Sequence, residues 1–89
     1  MAKRNFEMTV NTAIQAISDW CNTSGYSMGM NGEYAVYVCT NQNENDLKIT
    51  LKEILMTVLD VSKKKLNSLI SILPTRGRVY ILFKRRACL

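Results

Sequence analysis

Histidine is absent from these 89 residues, and proline occurs once, at Pro74. Without an imidazole the chain lacks the usual neutral-pH general base and the commonest nitrogen ligand for a metal. The seven carboxylates, Glu7, Asp19, Glu33, Glu44, Asp46, Glu53 and Asp60, show no paired spacing of the kind hydrolases and metal sites use. No catalysis and no cofactor are expected. Cysteine is scarce as well, and Cys21, Cys39 and Cys88 lie too far apart to form a C-x-x-C half-site. An odd cysteine count without a secretory apolar segment predicts free thiols in a reducing cytoplasm. Cys21 and Cys39 read as small buried hydrophobes. Cys88 is the penultimate residue, where a prenylation box does not fit. No apolar run approaches the ~18 residues a membrane span needs, and Met1 to Arg4 is too short for a targeting segment.

Acid is also missing from the last third. After Asp60 no carboxylate follows, while Lys63, Lys64, Lys65, Arg76, Arg78, Lys84, Arg85 and Arg86 all fall there. The first sixty residues are slightly acidic, so the net charge of +5 is concentrated in one stretch. Such segregation costs self-repulsion in a compact fold, which a polyanionic partner relieves. The basic stretch is therefore the expected partner-facing end.

Residues 1–89 are the length of one small domain with a modest core. Phe6, Val10, Ala13, Ile14, Ile17, Trp20 and Cys21 recur at three- and four-residue intervals, which predicts one buried helical stripe capped by Asn5 and ended by Asn22-Thr23-Ser24-Gly25. Trp20 reads as a core anchor. Asn31-Gly32 between the β-prone runs 26–30 and 33–40 predicts a hairpin closed by a type I′ turn. Gly29 marks its first strand as short or at an edge, and the odd spacing of Tyr34 and Tyr37 puts them on opposite faces of the second.

Residues 41–46 form a polar connector, and Thr50-Leu51-Lys52-Glu53 matches a capping box opening a helix whose buried face is Leu51, Ile54, Leu55, Val58 and Leu59. A brief strand through Leu47, Ile49 and Leu51 is the alternative. Asp60-Val61 interrupts the pattern. Ser62 then caps a further helix with Leu66, Leu69, Ile70 and Leu73 on its apolar face, stopped by Pro74. After a turn at 75–77, the apolar run Val79 to Phe83 predicts a strand covered on both faces. The fold class is α+β in the order α-β-β-α-α-β, with helices packed on a small, mainly antiparallel sheet.

Lys63, Lys64 and Lys65 occupy the first turn of the third helix, where the macrodipole disfavours each cation by about 0.3–1 kcal/mol. Free amides and ammonium groups at one helix start suit a phosphate. The segment Lys52 to Ile70, with its helix, its turn ending in Val61-Ser62 and its second helix holding Leu66 and Leu69, resembles the helix-turn-helix of phage repressors and bacterial regulators. Met56 and Asp60 stand where that family has a small residue and a turn glycine. The resemblance implies that the second helix enters the major groove, with Lys63, Lys64, Lys65 and Asn67 meeting bases and phosphates. The last strand resembles part of a winged helix, with Arg76 and Arg78 reaching backbone or minor groove. The element order also resembles the type II K-homology domain, an RNA-binding fold, although Asp60-Val61-Ser62-Lys63 replaces its G-x-x-G loop.

Two functions fit these residues. The first is a small cytoplasmic, regulatory nucleic-acid-binding protein, DNA rather than RNA, contacting its ligand through Lys63, Lys64, Lys65, Asn67, Arg76, Arg78, Lys84, Arg85 and Arg86. The second is an interaction or inhibitor protein, of the kind phages encode, that docks an acidic surface of a host protein. A third possibility is a homodimer formed by pairing residues 79–83 with their copy, an arrangement that suits two half-sites.

Overall fold

The computed structural model describes residues 6–84. Its elements are α1 (Phe6–Ser24), β1 (Ser27–Met30), β2 (Ala35–Cys39), α2 (Glu44–Leu59), α3 (Lys63–Leu69), β3 (Ile70–Thr75) and β4 (Arg78–Phe83). The α+β expectation holds, with one strand more than the sequence suggested. All pairings are antiparallel, in the order β1-β2-β4-β3.

In α1, Val10, Ala13, Ile17 and Cys21 are buried as the spacing predicts, and Phe6, Ile14 and Trp20 pack at the border of the core. The proposed cap Asn5 lies outside the described residues. Gly25, at φ 81°, ends the helix. The amides of Gly25 and Tyr26 both donate to the Cys21 carbonyl, at 2.9 and 3.0 Å. That left-handed exit needs glycine, and Trp20 stacks on Tyr26 across it with 4.9 Å between ring centres.

The hairpin of β1 and β2 forms, with Met30 opposite Val36, but not through a two-residue type I′ turn. Asn31 has no positive φ; its amide donates to Ala35 at 2.8 Å, leaving Gly32, Glu33 and Tyr34 to reverse the chain. Tyr34 decides this. Its carbonyl accepts the Phe83 amide at 2.9 Å, and its ring meets Phe6 edge-on at 4.8 Å. It is thereby held toward β4 and α1.

Helix α2 begins seven residues earlier than the capping box implied. Asn43 is the cap, accepting from the amides of Asn45 and Asp46, and Glu44 and Asp46 in the first turn face the positive end of the dipole. Thr50 and Glu53 are therefore mid-helix, where the Thr50 and Thr57 hydroxyls donate back to the Asp46 and Glu53 carbonyls. The alternative strand at 47–51 does not form, because Leu47, Leu51, Leu55 and Leu59 repeat every fourth residue and are all buried. Each contributes about 1.5–3 kcal/mol by leaving water. Ile54 is half-buried and Val58 exposed, at the flank of this stripe.

Asp60 closes α2 in the left-handed region, φ 54° and ψ 54°. Glycine takes this conformation without the steric cost that an L residue bears. Ser62 caps α3 as expected, accepting from the Lys65 amide at 3.2 Å. The helix ends at Leu69, however. Ile70 and Leu73 belong to β3, and Pro74 lies within that strand rather than ending a helix. A strand at the sheet edge tolerates a residue without an N–H.

Strand β4 pairs with β2 on one side and β3 on the other. Its hydrogen-bonding edges are both used, which rules out dimerisation by pairing 79–83 with a copy. Nor is it covered on both faces. Val79, Ile81 and Phe83 enter the core with Val36, Val38, Ile70 and Ile72, whereas Tyr80 and Leu82 are half-buried and stand outside the core cluster. Among the described residues, the helices pack on the first of these faces only, against the residues that make up the core.

Candidate nucleic-acid interface

On α3, Leu66 and Leu69 are buried while Lys63, Lys64, Lys65 and Asn67 are exposed. The helix has seven residues, and Ser62 already satisfies one of its leading amides. The charge exposed at this end is therefore that of the lysine side chains rather than of free helix amides. Lys84 belongs to the other end of α3. Its amide donates to Leu69 at 3.0 Å and its Nζ to the Asn67 carbonyl at 2.9 Å, placing a cation against the negative end of the dipole.

Arg76 and Arg78 stand at the opposite end of the β3–β4 hairpin, about 20 Å from Lys84 at the rise of an extended strand. The hairpin supplies the second strand a winged helix requires, but its tip is not free. Thr40 donates to the Gly77 carbonyl at 3.0 Å, and the Gly77 amide donates to Glu44 at 2.8 Å. That bond, the Glu44 amide and the nearby Arg76 charge hold the Glu44 carboxyl below the usual glutamate range. Arg76 thus sits beside an acid. Arg78 lies over the Tyr37 ring, 4.4 Å from its centre, and donates to the Tyr80 hydroxyl at 3.2 Å. This hydrogen bond holds its guanidinium still more firmly protonated than an ordinary arginine. Arg85 and Arg86 lie outside the described residues.

The seven described residues of the nine selected from the sequence therefore do not form one patch. Lys63, Lys64, Lys65, Asn67 and Lys84 gather around α3, and Arg76 and Arg78 belong to the far end. Two lysines that sequence reasoning missed extend the first group. Lys48 and Lys52, one turn apart on α2, line a depression of about 310 Å³ with Ile49, Glu53, Met56 and Lys63. The same two lysines line an adjoining one of about 230 Å³ with Asn67 and residues 70–73. Together these make a groove between α2, α3 and the β3 edge. The signal was the four-residue spacing of Glu44, Lys48 and Lys52 on one helix stripe, hidden because acids share the segment.

Among the described residues no group of three or more cysteines and carboxylates is placed to hold a metal, and no helix is long and apolar enough to cross a membrane. Cys21 is buried, which pushes its thiol up, whereas Cys39 is half-buried beside Arg78. Comparison with protein families, curated proteins and solved structures finds no match to this chain.

Proposed function

We propose that this chain is a nucleic-acid-binding protein, a cytoplasmic DNA-binding regulator without catalysis, and that the groove between α2, α3 and β3 is its contact surface. One observation carries this reading. Lys48 and Lys52 from α2 converge with Lys63 and Asn67 from α3 on adjoining depressions, and Lys64 and Lys65 continue the same helix into solvent. Cations contributed by two helices to one groove give an extended anion a track, which scattered surface lysines do not. The left-handed Asp60 supports it further, since it provides the turn that a helix-turn-helix needs.

Five lysines each neutralising a phosphate give a log-log dependence of affinity on salt with a slope of about −4 to −5 on B-DNA. Fluorescence anisotropy with a labelled duplex across a salt series measures it. Lys48→Ala with Lys52→Ala should flatten the slope by about two and weaken all sequences alike. A slope indifferent to these substitutions overturns the proposal.

The exposed Ile49, at 55%, which lines the same depression as Met56, favours a second reading: an acidic protein surface with an apolar anchor. A host protein recovered in stoichiometric complex, together with nucleic-acid-free absorbance at 260 and 280 nm, selects it.

A further inference from the structure

We infer that the helix-free face of the sheet is a stacking platform for unpaired bases of a single-stranded nucleic acid. This rests on the nucleic-acid reading of the groove and names the form of the ligand.

The outward positions of the four strands follow from the register. Leu73 lies opposite Tyr80, Tyr80 opposite Tyr37, and Tyr37 opposite Gly29. They form one row across the sheet, about 14 Å long at normal strand spacing. Tyr37 and Tyr80 have ring centres 5.8 Å apart, and Arg78 ties them together by lying over the first and bonding the second. Gly29 makes room for this: a Cβ there would collide with the Tyr37 ring, its Cε2 only 2.9 Å away. The ring therefore lies across the backbone of β1. With Tyr37 held between Arg78 and β1, the Arg78 guanidinium and the Tyr80 ring are the surfaces offered to unpaired bases, which stack on such groups.

Charge points the same way. The outward positions of β1 to β4 include Arg78 and no carboxylate, so the face is neutral to positive throughout. Continuity with the groove supplies the backbone path. Ser71 and Leu73, outward residues of β3, also line the depression that holds Lys48 and Lys52. A strand whose phosphates follow those lysines can carry its bases around the β3 edge, past the 48% exposed Leu73, onto Tyr80. A duplex cannot use this face, because its bases keep their π surfaces within the stack.

The test compares fluorescein-labelled oligo(dT) with a duplex of equal length, at one low salt concentration, against Tyr80→Thr, Tyr80→Phe and the Lys48→Ala, Lys52→Ala pair. Tyr80→Thr should weaken oligo(dT) roughly ten-fold or more and leave the duplex unchanged, Tyr80→Phe should retain binding, and the lysine pair should weaken both forms. If the lysines matter and Tyr80 does not, the platform is refuted and the groove stands. If wild-type protein binds neither form, the nucleic-acid reading fails and takes the platform with it. A wild-type dimer in light scattering that Tyr80→Thr dissociates assigns the face to a second copy and also overturns it. Should Tyr80→Thr lose its fold, wild-type proton spectra decide: the Tyr37 and Tyr80 ring signals must shift upfield with oligo(dT), and unmoved signals refute the platform.

Discussion

The Glu44 carboxylate, in the first turn of α2, accepts the backbone amide of Gly77 at 2.8 Å across 33 residues of sequence. One side chain thereby joins the start of a helix to the tip of the β3–β4 hairpin. Its carboxyl is held below the usual range, first by this bond, then by its own amide, and also by Arg76. The stabilisation is complete above the ordinary glutamate pKa of ~4.3 and is lost as pH falls through the depressed folded value. Glu44→Gln should flatten the fall of Tm with pH in that acidic window. In hydrogen exchange, the Gly77 amide should lose protection in the same variant while the β4 amides keep theirs.

Gly29 gives a prediction whose sign depends on one neighbour. Alanine for glycine in a strand ordinarily gains about 0.5–1 kcal/mol, but here the added Cβ meets the Tyr37 ring. Gly29→Ala should instead destabilise by about 1–3 kcal/mol in urea unfolding. In a Tyr37→Ser background the same change should turn neutral or favourable. A cost that persists without the ring would show that the collision is not its cause.

At Asp60 the left-handed backbone costs an L residue about 1–2 kcal/mol, and glycine removes that cost while adding about 0.4–1 kcal/mol of unfolded-state entropy. Asp60→Gly should stabilise by about 0.5–1 kcal/mol net. Asp60→Val, whose branched Cβ makes the left-handed region costlier still, should destabilise by at least as much. Urea midpoints at constant m-value measure both.

The two described thiols should part company under a thiol reagent. In a Cys88→Ser background, Cys39 on the outward face should react in the native protein, while the buried Cys21, its pKa raised by that burial, should react only on unfolding. Saturating oligo(dT) should slow Cys39 several-fold through the neighbouring Arg78 and Tyr37. Duplex DNA should not.

Periodicity carried α1 from Phe6 to Cys21, and capping chemistry carried the Asp60–Ser62 break, because both are local. The boundary between α3 and β3 was not legible. Leu66, Leu69, Ile70 and Leu73 satisfy a helical repeat, yet Ile70 and Ile72 also alternate, and only pairing with Phe83 and Ile81 decides for the strand. The start of α2 was missed because Asn43 and Thr50 are both competent caps, and burial of Leu47 selects the earlier one. For the site, charge counted along the chain found the lysines of α3 but grouped Arg76 and Arg78 with them. Tyr37 and Tyr80 become neighbours only through the β2–β4 pairing. No spacing within the sequence announces that.

Placing β4 in the interior also governs how copies of this protein behave toward each other. The most apolar strand has no main-chain groups left to template growth, and the two borders of the sheet that no other described strand covers are poor templates. On one, Pro74 interrupts the row of donors; the other is a four-residue strand with Gly29 under the Tyr37 ring. Fibre-like stacking would have to begin at one of these blunted margins, so a broad exposed sheet face is kept without the usual hazard of sheet-to-sheet polymerisation.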